Sequence, residues 1–125
     1  MPAVGWIDRE VFKAAGFALL SEEVVLTEPQ LQHIEENHPG DYELYKHCLS
    51  LVLAKPDYIV EANKPDTAVL LKHIEQGDER FQLILRLKVE TDPEEYENSV
   101  ITFWKIEGKR YRRYLRTKKV LYKRA

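Results

Sequence analysis

The residues best placed for chemistry sit at two ends of the chain. In VLTEPQLQHIEENHPGDYELY, Val25–Tyr45, a short helical pattern ends on His38. An imidazole changes charge near neutral pH, so it can take a proton in one step and return it in another. Near the C-terminus, Arg110, Arg112, Arg113 and Arg116 are interleaved with Tyr111 and Tyr114. Guanidinium groups bind phosphate bidentately, and aromatic rings stack on bases. Together these features point to a site where one imidazole meets a polyanion.

The charge distribution supports that pairing. Residues 99–125 carry 10 Lys/Arg against one Glu, while residues 1–98 carry 9 against 20. Such polarity draws an anionic ligand to one end of the molecule. It also suits a second role, in which the basic end is an intramolecular partner of the acidic part.

His38 owes its position to helix signals. Thr27 is a suitable N-cap, Pro29 is tolerated in the first turn, and Glu28 complements the positive end of the dipole. At about 100° per residue, Leu31, Ile34 and His38 share one stripe, while His33 lies elsewhere. Pro39-Gly40 then stops the helix. A single histidine on an apolar face is more often a core residue bonded to a carbonyl, so position alone does not assign a role.

Around this helix the pattern predicts further helices at Asp8–Leu20, weakened by Gly16, and at Asp41–Ala54, ended by Lys55-Pro56. Strands are expected at Tyr58–Ala62, Thr67–Ile74, Phe81–Glu90 and Ser99–Glu107, and around Val120–Tyr122. An acidic loop, Thr91–Asn98, separates two of them. The expected fold is α+β, with two or three N-terminal helices packed on one face of an antiparallel sheet of about four strands.

Composition bounds the rest. One hundred and twenty-five residues suffice for one domain with a real core. No apolar run is long enough to span a membrane and no signal peptide is evident, so a cytoplasmic location without membrane contact is expected. The single Cys48, inside the apolar run HCLSLVLA, reads as an inert core thiol in a reducing compartment. Metal chemistry finds little support. Glu35-x-x-His38 has ligand-like spacing but occurs once, His33 and His38 point about 140° apart, and no C-x-x-C, H-E-x-x-H or phosphate-binding glycine loop is present.

In their order and spacing, HIEENHP, KPDYI, TAVLLKHI and NSVITFWKI, followed by the basic end, resemble one family. It is the phage-associated branch of the Barnase–EndoU–colicin E5/D–RelE nuclease fold. The resemblance runs from Val25 to Lys123. Residues 25–125 are therefore expected to form the nuclease domain. Residues 1–24 would be an N-terminal extension, helical and packed on it. The resemblance implies a metal-independent ribonuclease without cofactors, with RNA as partner and a neutralising or phage protein as a further one. It carries over His38 as the histidine before proline, Lys72 as the basic residue of the second short strand, and Thr102 as the threonine of the strand VITFW. Arg110, Arg112 and Arg113 become candidates for phosphate contacts.

The chemistry explains these types. Attack of a 2′-hydroxyl on the adjacent phosphate leaves a 2′,3′-cyclic phosphate and requires one proton taken, one given, and added charge neutralised. His38 could make either transfer, Lys72 or an arginine could neutralise charge, and Thr102 could donate to a phosphate oxygen. In a regular strand Trp104 shares the face of Thr102 and could stack on a base, although a core role is the commoner one. Alternation puts Lys72 and His73 on opposite faces, so at most one of them joins the site. The expectation is an RNA endonuclease. The alternative is a catalytically inactive module that binds nucleic acid or protein.

Overall fold

The computed structural model describes residues 2–125. In chain order the described residues form β1 (Ala3–Trp6), α1 (Arg9–Ala14), β2 (Glu23–Val25), α2 (Glu28–Asn37), α3 (Asp41–Ala54), β3 (Tyr58–Glu61), β4 (Thr67–Ile74), β5 (Glu79–Arg86), β6 (Asn98–Ile106), α4 (Gly108–Thr117) and β7 (Val120–Lys123). The seven strands make one sheet in the order β1-β2-β6-β5-β4-β3-β7. Every pairing is antiparallel except that of β2 with β6.

The α+β class holds, but the architecture is larger than the sequence pattern predicts. The sheet has seven strands rather than about four. A fourth helix, α4, packs on the face opposite α1–α3. Alternation along the strands separates two apolar clusters. Ile59, Ala68, Leu70, Phe81, Leu83, Leu85, Val100 and Phe103 face α1–α3, where they meet Phe12, Ile34, Leu49, Val52 and Leu53. Val60, Val69, Leu71 and Ile106 face α4, where Tyr111, Tyr114 and Leu115 cover them. α4 was hidden by its charge, yet residues 111, 114 and 115 have the spacing of a helix stripe.

The segment before Val25 contributes two strands as well as a helix. That helix stops at Ala14, short of the expected Leu20, because Gly16 adopts φ +94. β1 (AVGW) is interrupted by Gly5 and β2 (EVV) has three residues, so neither shows the β-branched and aromatic run that marks the equally short β3 (YIVE). β2 in particular depends on partners far away in the chain: Val24 pairs with Asn98 and Val25 with Ser99. Buried Asn98 fastens this join. Its amide donates to the carbonyls of Ser21 and Glu23, and its Oδ1 accepts from Lys88 N–H at 2.8 Å. Removing these bonds would leave buried polar groups unpaired, at about 1–3 kcal/mol each. Among the described residues, no helix is long and apolar enough to cross a membrane.

Candidate active site

The parallel join of β2 to β6 decides where α2 lies. The chain leaves β2 at Val25, is capped by Thr27, whose Oγ1 accepts from Gln30 N–H, and runs back as α2 against β6. Ile34 is fully buried on the packed face. One turn later His38 closes the helix, its own N–H donating to Ile34 O at 2.9 Å. Gly40, at φ +82, takes the left-handed conformation that the turn into α3 requires. Asp41 N–H then donates back to His38 O.

This geometry lays the His38 ring against Trp104 of β6. The ring centroids are 4.3 Å apart and the planes meet at 41°. The other neighbour of the imidazole is Asp41, whose Oδ2 lies 3.9 Å from Nδ1. The ring is therefore placed mainly by the indole and remains about one-third exposed.

β6 carries an extra residue opposite β5. Ile84 pairs with Thr102 but Leu85 pairs with Val100, so Ile101 is skipped. Beyond this bulge the alternation is regular, and Thr102, Trp104 and Ile106 share the face covered by α4. Thr102 Oγ1 is buried and has no hydrogen-bond partner among the described residues. An unpaired buried hydroxyl is an unmet donor and acceptor on the face that carries Trp104.

His38 and Trp104 line a cleft of about 290 Å³ together with Lys105, Ile106, Glu107 and Arg110. The junction between β6 and α4 supplies the last three. Glu107 is the N-cap residue of α4, but its carboxylate makes no capping bond. Arg110, one turn into the helix, reaches the same space. The cleft thus brings together an imidazole, a carboxylate, a guanidinium and an aromatic platform. Glu107 was not singled out from the sequence, although it is the single acidic residue among 27 in the basic segment 99–125.

Other residues singled out earlier lie apart. Lys72 falls with Ala68 and Leu70 in the alternation of β4, one strand beyond β5, and does not line the cleft. Its buried ammonium sits 3.3 Å from Asp57 Oδ1, and Asp57 also accepts from His73 N–H and Arg124 Nε, both at 2.8 Å. This network ties β4 to the start of β3 and to the C-terminal strand. Arg113 lies further along α4, in a shallow groove that begins at Glu107 and Arg110. Arg112 turns back over Gly108. His33 contacts Asn37 on the outer side of α2, and His73 bonds Asp78 at 2.8 Å.

Two further groups are held neutral by burial. Tyr111, packed between Tyr58, His73 and Arg80, has its phenol pushed well above the usual range by desolvation, with Asp57 adding to the effect. Burial likewise raises the Cys48 thiol. Neither can exchange protons readily at neutral pH. No three His, Cys, Asp or Glu side chains converge at metal-holding distances among the described residues.

The model of a protein family described as phage-Barnase-EndoU-ColicinE5/D-RelE like nuclease2 matches residues 9–123 of the chain. The match begins within α1, upstream of Val25, and takes in all four helices. No curated protein and no solved structure matches the chain.

Proposed function

The chain belongs to the phage Barnase–EndoU–colicin E5/D–RelE-like nuclease family, and from that premise we propose that it is an RNA endonuclease working without a metal ion. The observation that carries the reading is the cleft in which His38, packed against Trp104, shares one space with Glu107 and Arg110.

In this reading the substrate phosphate enters between the imidazole and the carboxylate. Glu107 takes the proton of the 2′-hydroxyl as its oxygen attacks phosphorus. The O2′–P bond forms, the P–O5′ bond breaks, and His38 gives a proton to the departing 5′ oxygen. The products are a 2′,3′-cyclic phosphate and a 5′-hydroxyl end. Arg110 neutralises the charge that builds on the phosphoryl oxygens; Thr102, whose hydroxyl is buried and does not line the cleft, has no contact with the phosphate in this scheme. Trp104 plays two parts: its indole places the imidazole, and the exposed part of its ring offers a surface for an unpaired base. Lys72, committed to Asp57, is a stabilising residue in this scheme.

The test incubates wild type, His38→Ala and Glu107→Gln with labelled RNA in excess EDTA and then examines the new ends. Cleavage by wild type to 2′,3′-cyclic phosphate is expected, with kcat reduced roughly 10²- to 10⁴-fold in each variant. Equal cleavage by all three proteins would remove both residues from the mechanism. RNA bound but not cut by wild type would make the cleft a binding site only.

A further inference from the structure

Beneath α4, where Val60, Val69, Leu71 and Ile106 make an apolar floor, β5 contributes Gln82, a fully buried side chain. A leucine there would be buried as well, with no amide to satisfy. The amide finds its partner in the helix above: the Tyr114 hydroxyl donates to Gln82 Oε1 at 2.7 Å. Among the described residues this is the one side-chain hydrogen bond between α4 and the sheet.

The bond lies between two parts of the candidate site. In the register of β5 with β6, Gln82 is opposite Trp104, so the two side chains stand next to each other on the α4 face. Tyr114 is one helical turn from Arg110, on the same side of α4. Both residues line the shallow groove of about 640 Å³ along the helix, and Arg110 and Glu107 belong to that groove and to the His38 cleft alike. The path Trp104–Gln82–Tyr114–Arg110 thus connects the strand that carries the indole with the helix that carries the guanidinium, through a single directional bond.

Apolar packing keeps α4 on the sheet but fixes its rotation loosely. Tyr111 and Leu115 are held there by burial, which has no direction, whereas a hydroxyl–amide bond weakens steeply as its angle is lost. Two polar groups that satisfy each other add little stability over an apolar pair of the same shape. What they add is one preferred orientation. We propose that Gln82 and Tyr114 are positioning residues, whose hydrogen bond sets the rotation of α4 on the sheet and so keeps Arg110 and Glu107 aimed into the His38 cleft. The catalytic consequence rests on the nuclease reading of that cleft; the orientation of α4 does not. In that reading Arg110 must meet the phosphoryl oxygens as charge builds on them, and a displacement of about 1 Å in such a group costs roughly a hundredfold in rate.

The test compares wild type with Tyr114→Phe and with the double variant Tyr114→Phe/Gln82→Met. The single change strands a buried amide, while the double change removes both polar groups and nearly keeps the volume. The denaturation midpoint of the double variant should therefore lie above that of Tyr114→Phe, which lets positioning be read apart from stability. A double variant less stable than Tyr114→Phe would show that the amide has another partner and would overturn the pair. Residual dipolar couplings in ¹⁵N-labelled protein report the orientation of α4 against the sheet. Those of residues 109–117 should change or average in the double variant while those of β4 and β5 stay as in wild type. On RNA, kcat of the double variant should fall roughly ten- to a hundredfold, with the salt dependence of binding unchanged because Arg110 keeps its charge. Unchanged α4 couplings in the double variant overturn the proposal, and so does a wild-type kcat. If wild type cuts no RNA, the nuclease reading fails and the couplings still decide whether the pair orients α4.

Discussion

His38 and Trp104 pack ring against ring at 4.3 Å, although one closes a helix and the other lies near the end of a strand far along the chain. The contact joins the imidazole to β6, so in the proposed reaction the indole would serve both catalysis and substrate binding. Trp104→Ala should therefore lose about 1–3 kcal/mol of RNA affinity from stacking, a roughly five- to 150-fold rise in Kd, together with a fall in kcat as the imidazole loses its backing. Trp104→Phe keeps a flat platform and should recover most of both. Fluorescence anisotropy with single-stranded RNA and single-turnover rates measure the two effects. If Ala and Phe behave alike, the ring is not a platform.

Arg110 makes a different kind of prediction, because the contribution proposed for it is electrostatic. Binding through phosphate releases counterions, so log K falls linearly with log salt. Arg110→Ala should weaken RNA binding for all sequences alike and reduce the slope of that line by about one. Trp104→Ala should lower affinity and leave the slope nearly unchanged. A salt series on the two variants separates the roles, and identical slopes for wild type and Arg110→Ala would take the guanidinium off the phosphate.

Local signals made part of this site legible. Thr27, Pro29 and Pro39-Gly40 bound α2 and so locate His38, because caps and breakers act within a few residues of their own position. Simple alternation set Thr102 beside Trp104, and it survives because the bulge falls before both residues. The bounds Asp41–Ala54 and Thr67–Ile74 also follow from the breakers on either side, Pro39-Gly40 and Lys55-Pro56 for the helix, Asn63–Asp66 and Gln76–Asp78 for the strand. The partners of His38 were not legible. They depend on the parallel pairing of β2 with β6, a contact between distant segments that leaves no periodic trace in a three-residue strand. Glu107 reaches the site through the turn into α4. That helix reads as a basic tail until the stripe of Tyr111, Tyr114 and Leu115 is recognised. Being the single acid among 27 residues set Glu107 apart by count, but only the fold gives it an imidazole for company.

Lys72 tests the separation of stability from catalysis. Its ammonium is buried on Asp57, which keeps two other partners, His73 N–H and Arg124 Nε. Lys72→Met fills the same space without the charge and should destabilise the fold by about 1–3 kcal/mol, below the usual figure for stranding a buried charge, because Asp57 stays bonded. Denaturant unfolding measures that loss. Below the melting temperature, kcat on RNA should match wild type within about twofold, since no chemistry is assigned to this residue. A loss of kcat of a hundredfold or more in a folded Lys72→Met protein would return Lys72 to the reaction.

Asp92 supplies a prediction about pH. It closes the turn that carries the chain from β5 toward β6, accepting from Val89 N–H at 2.8 Å and from both terminal nitrogens of Arg86 at 3.1 and 3.2 Å. The Val89 amide, followed by the Arg86 guanidinium, holds this carboxyl below its usual range. A carboxyl whose folded pKa is depressed stabilises the fold fully above its unfolded pKa of about 3.9, and the contribution is lost as pH falls through the folded value. Asp92→Asn preserves the shape and an acceptor while removing the charge. Its melting temperature should fall below that of wild type at pH 7, and the gap should narrow from about pH 4 downward as the wild-type carboxylate protonates. Cleavage at neutral pH should be unaffected at temperatures where both proteins are folded, because the turn lies outside the cleft. Thermal melts of the two proteins from pH 7 to pH 2 provide the measurement. A gap that stays constant across that range would mean that the Asp92 charge, and its pairing with Arg86, does not hold the connection in place.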